Sequence, residues 1–292
     1  MKKRFLYILI ILVSTGLYGQ SNIAATSLPS PYEPAILKSF ADSLYEEGFL
    51  SQAEGEYKRY LFSQSPLFPE NPDHQSSLLA LSNIYNKQKD TKGISWLRQN
   101  FYDSAIFSVK EKISFTQAEF VFKSRNASDF SILTASFEED KPNFSQTFID
   151  LLDTSVLVLH NDIDGLKNQC ARLSSTNANY EKLNSLCLDY KRKSPGLALF
   201  LSTIIPGSGK WYTGSFGAFV SSFLMIGSFV TGTVMTGIQT EWKSWQPYVF
   251  GTCGLVLYIA EIYGAYQSAK RYNQAQYRTL YEEIDKLYEK EY

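Results

Sequence analysis

Histidine is nearly absent from this chain: its 292 residues include two, with three cysteines and three methionines. His74 and His160 stand far apart and neither belongs to a His-x-x-x-His spacing, which excludes a helical zinc site of that kind. A lone histidine in such a setting reads as a surface or capping residue. An excess of one charge is also lacking, since 28 Lys and Arg face 29 Asp and Glu. That balance excludes a nucleic-acid partner held by bulk charge. The stretch "PGSGKW" at 206–211 is no phosphate loop, because Ile204 stands where the first Gly belongs and Trp211 where Ser or Thr belongs. It is no nucleophile elbow either, since Ser208 lies directly between two glycines. The carboxylate runs "EED" at 138–140 and "NDID" at 161–164 lack the further ligands of a calcium loop, and the second reads as an Asp-rich helix start. No nucleophile–base–orienter set emerges, so no enzyme, metal or cofactor is expected.

What the chain does have is apolar runs. Lys2, Lys3 and Arg4 precede an unbroken apolar stretch from Phe5 to Val13, with small and turn-prone residues after it. This is the pattern of a signal peptide over residues 1–19, too short to span a bilayer; an uncleaved anchor is the alternative. Either way, residues 20–190 are expected to be exported. In an oxidising compartment Cys170 and Cys187 are a candidate disulfide, the alternative being two small core residues. Cys253, in an apolar segment, reads as an inert buried thiol.

Residues 35–190 read as an exported helical domain. Ala41, Leu44 and Tyr45 share one helical face, Gly48 breaks the helix, and Ala53, Tyr57 and Tyr60 form the next face. The small residues would let two antiparallel helices approach, with the tyrosines filling the groove. This spacing, in "EEGFLSQAEGEYKRYL", resembles the tetratricopeptide repeat, with Gly48, Ala53 and Tyr57 at the family's Gly, small and aromatic positions. A poorer copy spans residues 78–101, where Lys89-Asp90 takes the place of the usual Gly-Asp turn. Further helix pairs are expected within 114–138 and 144–190, at irregular intervals. The resemblance implies a concave surface for partner segments; a closed bundle is the alternative.

The last third reads as a membrane domain over residues 194–268. Two uncharged or singly charged apolar segments, about 216–238 and 247–268, are each long enough to cross a hydrocarbon core of about 30 Å. The turn between them carries Trp242 and Trp245, residues suited to an interface. Gly217, Ser221 and Gly227 on one helix and Gly251, Gly254 and Gly264 on the other are expected to permit close packing, within the hairpin or between copies in a homo-oligomer. The segment before them, Leu197 to Ile205, is too short to span and reads as an interfacial or re-entrant helix. Pro206, Gly207, Gly209, Tyr212 and Gly214 form a Pro-Gly-x-Gly-x-x-Tyr-x-Gly pattern. It resembles a motif found just before a transmembrane hairpin in small bacterial membrane domains of unknown function, including relatives of the two-transmembrane-helix domain. The resemblance covers about residues 194–270 and implies location and architecture, with no reaction attached.

The fold class expected is therefore all-α: an irregular helical array, a short interfacial or re-entrant helix, a two-helix hairpin, and an amphipathic tail over 269–292. Basic residues at 191–193 and 270–271 offend the positive-inside tendency if the hairpin crosses twice, and anionic headgroups offer one account of them. Glu261 is the single charge in its segment, either a functional intramembrane carboxylate or a residue reaching for the interface. The tail, with Tyr272, Leu280, Ile284 and Leu287 in a stripe, either docks on the exported helices or stands as a solvated stalk. The leading functional expectation is a membrane-tethered scaffold or adaptor of the bacterial cell envelope, with membrane lipids and envelope proteins as partners. The alternative is a small transporter or channel built from oligomerised hairpins, with Glu261 titrating.

Overall fold

The computed structural model describes residues 32–64 and 70–290. The predicted signal peptide lies outside the described residues. Among these residues the chain forms thirteen α-helices and no strand, the all-α class expected. It divides into two compact units at Gln117.

The first unit contains α1 (Pro34–Glu46), α2 (Leu50–Ser63), α3 (Pro72–Gln88), α4 (Thr91–Phe101) and the start of α5 (Phe107–Lys123). Pro34 and Pro72 open α1 and α3, where a fixed φ suits the helix and the missing N–H leaves no partner unpaired. Asn71 and Asp90 cap α3 and α4 through their side chains. Gly48 turns the chain between α1 and α2 at φ 85°, and Lys89 does so between α3 and α4 at φ 56°. The left-handed conformation favours glycine, so Lys89 occupies its turn at some cost. Ala41, Ala53, Tyr57 and Tyr60 are all buried. The Tyr57 hydroxyl donates to Asp42 Oδ1 at 2.8 Å, and Lys38 donates to the same carboxylate at 2.6 Å. Burial, then the Asp42 bond, push the Tyr57 hydroxyl well above its ordinary pKa.

His74 differs from its sequence reading. It lies in the first turn of α3, fully buried, with Nε2 3.0 Å from Ser104 Oγ. Its neighbour Gln75 donates to the Ser104 carbonyl and accepts from the Ile106 N–H, so α3 holds the 102–106 turn by polar bonds. Burial pushes the His74 pKa down.

The second unit holds the rest of α5, then α6 (Ala127–Ala135), α7 (Gln146–Leu159), α8 (Ile163–Ser174), α9 (Glu181–Asp189), α10 (Pro195–Ile204), α11 (Ser208–Tyr212), α12 (Phe216–Gln239) and α13 (Gln246–Lys290). Residues 144–190 form three helices rather than a pair, because the polar run at 174–177 ends α8 and Asn177 starts a new turn. Asp162 caps α8 by accepting from Gly165 N, the role read from its acidic cluster.

One helix, α13, runs unbroken for 45 residues, roughly 67 Å. The expected tail is its far half. That half is not a stalk: Leu280, Tyr281, Ile284, Leu287 and Tyr288 are buried. Tyr281 stacks on Phe122 at 4.4 Å and donates to the Phe122 carbonyl at 2.6 Å. The Tyr288 hydroxyl meets Ser155 Oγ at 3.0 Å, and Lys182 pairs with Glu283 at 2.8 Å. Burying five such side chains contributes on the order of 10 kcal/mol before ordering costs.

Candidate functional site

The near half of α13 packs antiparallel to α12. A Cβ at Gly254 would touch Phe229, one at Gly251 would touch Thr233, and one at Gly232 would touch Phe250. On α12 the contacting face is Ser222, Ile226, Phe229 and Thr233, at helical spacing. Gly217 and Gly227 instead look into open space and Ser221 is exposed, so that expected small-residue face does not meet the partner helix. Within the hairpin, phenylalanine and isoleucine fill the contact on α12 instead, and the exposed small-residue face bears only on the expectation of packing between copies. The glycines of α13 do lie at contacts: Gly251 and Gly254 against α12, and Gly264 beside Lys210.

α10 also runs along α13. At its start Lys193 N donates to Asn273 Oδ1 at 2.8 Å; at its end the Tyr258 hydroxyl donates to the Thr203 carbonyl at 2.5 Å. Those anchors are fifteen residues apart on α13, about 22 Å of helix. Ile205 then adopts the extended conformation required before proline, and Pro206 ends the helix. The chain reverses at Gly207, where φ is 86° and a Cβ would sit 2.9 Å from the Phe219 carbonyl oxygen. α11 climbs back along α13, with Thr213 Oγ1 meeting Ser268 Oγ at 2.7 Å.

Gly209 is where α10, α11 and α13 converge. A Cβ there would lie 2.1 Å from the Ala198 carbonyl oxygen and 2.8 Å from Ala265 Cβ. Its N–H donates to Ser202 Oγ, wholly buried. Tyr212 accepts from Ser194 N through its hydroxyl, closing the mouth of the α10–α11 loop. Gly214 turns into α12 at φ 89° with open space around it, so it serves conformation alone.

Within this arrangement Lys210 and Glu261 meet. Lys210 Nζ lies 2.5 Å from Glu261 Oε2 and 3.1 Å from Ser222 Oγ, and Ser222 donates to the same carboxylate oxygen at 2.9 Å. Glu261 is 5% exposed, and its Oε1 has no partner. The Gly264 position leaves room for the lysine stem, since a Cβ there would touch Lys210 Cε at 3.6 Å. The ammonium donates to the carboxylate and Ser222 donates to it too. Lys210 is thus not placed to take a proton from Ser222, and the cluster is a lock between elements rather than a nucleophile and base. Sequence reasoning reached Glu261 but missed Lys210 and Ser222. A signal exists: Lys210 is the sole charge between Lys193 and Glu241, and Glu261 the sole charge between Lys243 and Lys270. Two lone opposite charges in neighbouring apolar segments are complementary.

The remaining candidates lie elsewhere. Cys170 on α8 and Cys187 on α9 are buried thiols with sulfurs 3.7 Å apart, unbonded. Their mutual hydrogen bond and then burial push the Cys170 thiol far above its ordinary pKa. Cys253 is exposed on the outer side of α13 instead of buried, because an apolar sequence does not tell an outward face from a core. His160 ends α7 with Nε2 2.8 Å from Ser131 Oγ, a capping position as read. Among the described residues no three of His, Cys, Asp and Glu come together to hold a metal ion.

No family model and no solved structure matches the chain. It is 32% identical to the Uncharacterized protein MJ1516 of Methanocaldococcus jannaschii over 98 residues, covering 33% of this chain and 72% of that protein. By that likeness the chain belongs to the same family as MJ1516, whose name carries no activity.

Proposed function

We propose that the protein is a membrane-anchored helical scaffold of the cell envelope. α12 and the near half of α13 cross the bilayer as a hairpin, and α10 and α11 dip into it as a re-entrant element. The observation that carries this reading is that one helix, α13, is apolar and exposed in its near half and buried in a helical core in its far half. Both α12 and α13 are long and apolar enough to cross a membrane, yet only 11% and 17% of their most apolar stretches are buried. A core helix of a soluble protein hides such a surface. Phe223, Leu224, Val230, Leu255, Val256 and Ile259 all face outward.

Two crossings return the chain to the side it left, which is what the docking of the far half on α5, α7 and α9 requires. At the opposite end Trp242 and Trp245 stand exposed in the tight turn, at the level where such residues anchor. The helix pairs of the first unit support a TPR-like platform, joined by Gly48 and Lys89 and closely packed at Ala41, Ala53 and Gly93. Exposed Phe62, edge-on to Trp96 with Lys58 over that ring at 4.5 Å, supplies a surface for an aromatic or apolar partner segment. For the alternative, a transport subunit using Glu261, the carboxylate would have to face a path; its tie to Lys210 and Ser222 favours a structural role.

Single cysteines at 138, 243 and 274, in a chain lacking the native thiols, test the topology with a membrane-impermeant thiol reagent on intact cells. Positions 138 and 274 should label together, with 243 protected until lysis. Opposite behaviour of 138 and 274 would sink the two-crossing hairpin. Ion or proton flux through proteoliposomes of the purified chain, above protein-free vesicles, would favour the transport reading.

A further inference from the structure

A cavity of about 670 Å³ opens in the second unit where α13 leaves its apolar stretch. Four arginines line it: Arg125 after α5, Arg192 in the connector before α10, and Arg271 and Arg278 on α13. Among the described residues no acidic one lines it. Arg271 and Arg278 are seven residues apart, two helical turns on one face. Arg278 reaches Glu282 at 3.4 Å, an exposed pair, while Arg192 and Arg271 form no ion pair among the described residues. The walls are held in place. Asn273 accepts from Lys193 N and donates to Lys193 O, both at 2.8 Å, and Gln276 accepts from Lys191 N at 2.9 Å. These bonds strap the connector to α13 and keep Arg192 beside Arg271. Arg125 lies over the Tyr281 ring at 4.3 Å, which holds its guanidinium at the rim.

Four like charges around one cavity, with no carboxylate among its lining residues and only Arg278 tied to one outside it among the described residues, repel one another unless an anion joins them. Planar guanidinium groups match the paired oxygens of a phosphate. Position selects the source. Lys270 and Arg271 are the first charges on α13 after Glu261, directly beyond the exposed apolar belt that ends near Tyr263. Phosphates of a bilayer leaflet lie at that level.

We propose that this arginine pocket binds the phosphate of an anionic lipid headgroup and so fixes the depth and tilt of α13. The proposal rests on the membrane reading above.

The test uses the full chain in detergent, by native mass spectrometry, titrated with phosphatidylglycerol, phosphatidylcholine or inorganic phosphate. One phosphatidylglycerol should bind above the phosphatidylcholine background. Its affinity should fall on the order of tenfold in R192Q/R271Q and stay unchanged in K243Q, a charge in the far turn. Both arginines are exposed, so an unaltered unfolding temperature should show that R192Q/R271Q retains its fold. Equal binding of the two lipids, or phosphatidylglycerol binding insensitive to R192Q/R271Q, overturns the proposal. Phosphate binding that is lost in R192Q/R271Q without any lipid binding assigns the pocket to a soluble anion and overturns the lipid source. A chain that stays dispersed in buffer without detergent fails the membrane reading instead, whatever the titration shows.

Discussion

Lys210 and Glu261, 51 residues apart, form a 2.5 Å ion pair that ties α11 to α13, with Ser222 of α12 bonded to both. A buried pair of this kind is strongly disrupted by losing one member and only weakly by losing both. E261A should therefore cost about 3–5 kcal/mol, and K210M/E261M should recover most of the loss. Unfolding temperatures in detergent measure both. A double variant as damaged as E261A would mean that the charges themselves, and not their neutralisation, are required.

The glycines of the turn divide into those that need space and those that do not. G209A drives a methyl group into the Ala198 carbonyl and should destabilise by about 3 kcal/mol or more. G227A, in mid-helix with open space, should be neutral or stabilising by up to about 1 kcal/mol. If the two alanine variants unfold alike, the convergence of three helices at Gly209 is wrong.

The sulfurs of Cys170 and Cys187, 3.7 Å apart, need to close by somewhat under 2 Å to reach bonding distance, about 2.05 Å. Oxidised glutathione should accept the two thiol hydrogens and leave one intramolecular disulfide, adding about 3 kcal/mol through the loop it closes. Peptide masses before and after reduction decide it. Alkylation of both Cys170 and Cys187 after denaturation of the oxidant-treated chain would reject the pairing.

His74 makes the fold sensitive to acid. Burial lowers its folded-state pKa, so the unfolded chain takes up a proton first, near pH 6.5. Stability should decline as pH falls below that value and level off only when the folded imidazole itself protonates. H74Q should lose this slope. Denaturant midpoints at a series of pH values show it, and identical slopes in both chains would place His74 in contact with water.

How much of this was legible beforehand depends on which physical quantity decided each feature. Helix starts and stops were readable where a local rule governs them: Gly48 at a left-handed turn, Asp162 at a cap, Pro206 at an end. The two apolar helices were readable from length alone. Faces were not. Gly217 and Ser221 look like a packing stripe, yet the contact falls on Ser222 and Ile226, and one helical position is about 100° of rotation. Cys253 reads as buried yet is exposed for the same reason. The Lys210–Glu261 pair joins segments that only the reversal at Gly207 brings together, and a lysine read solely against a phosphate-loop pattern hides its role as a counter-charge. The docked far half of α13 depends on Phe122 and Ser155, more than a hundred residues earlier.

That last dependence sets an order of events during synthesis. Residues 118–189 leave the ribosome about ninety residues before Leu280, Ile284 and Tyr288 exist, an interval of roughly 5–20 s at usual translation rates. Through that interval the unit lacks one of its core helices. Under the membrane reading proposed above, the missing piece arrives only after the hairpin has been threaded and residues 280–288 brought back to the same compartment. On that reading a molecule whose hairpin stalls or inverts keeps an open core, so completion of the fold reports that insertion succeeded.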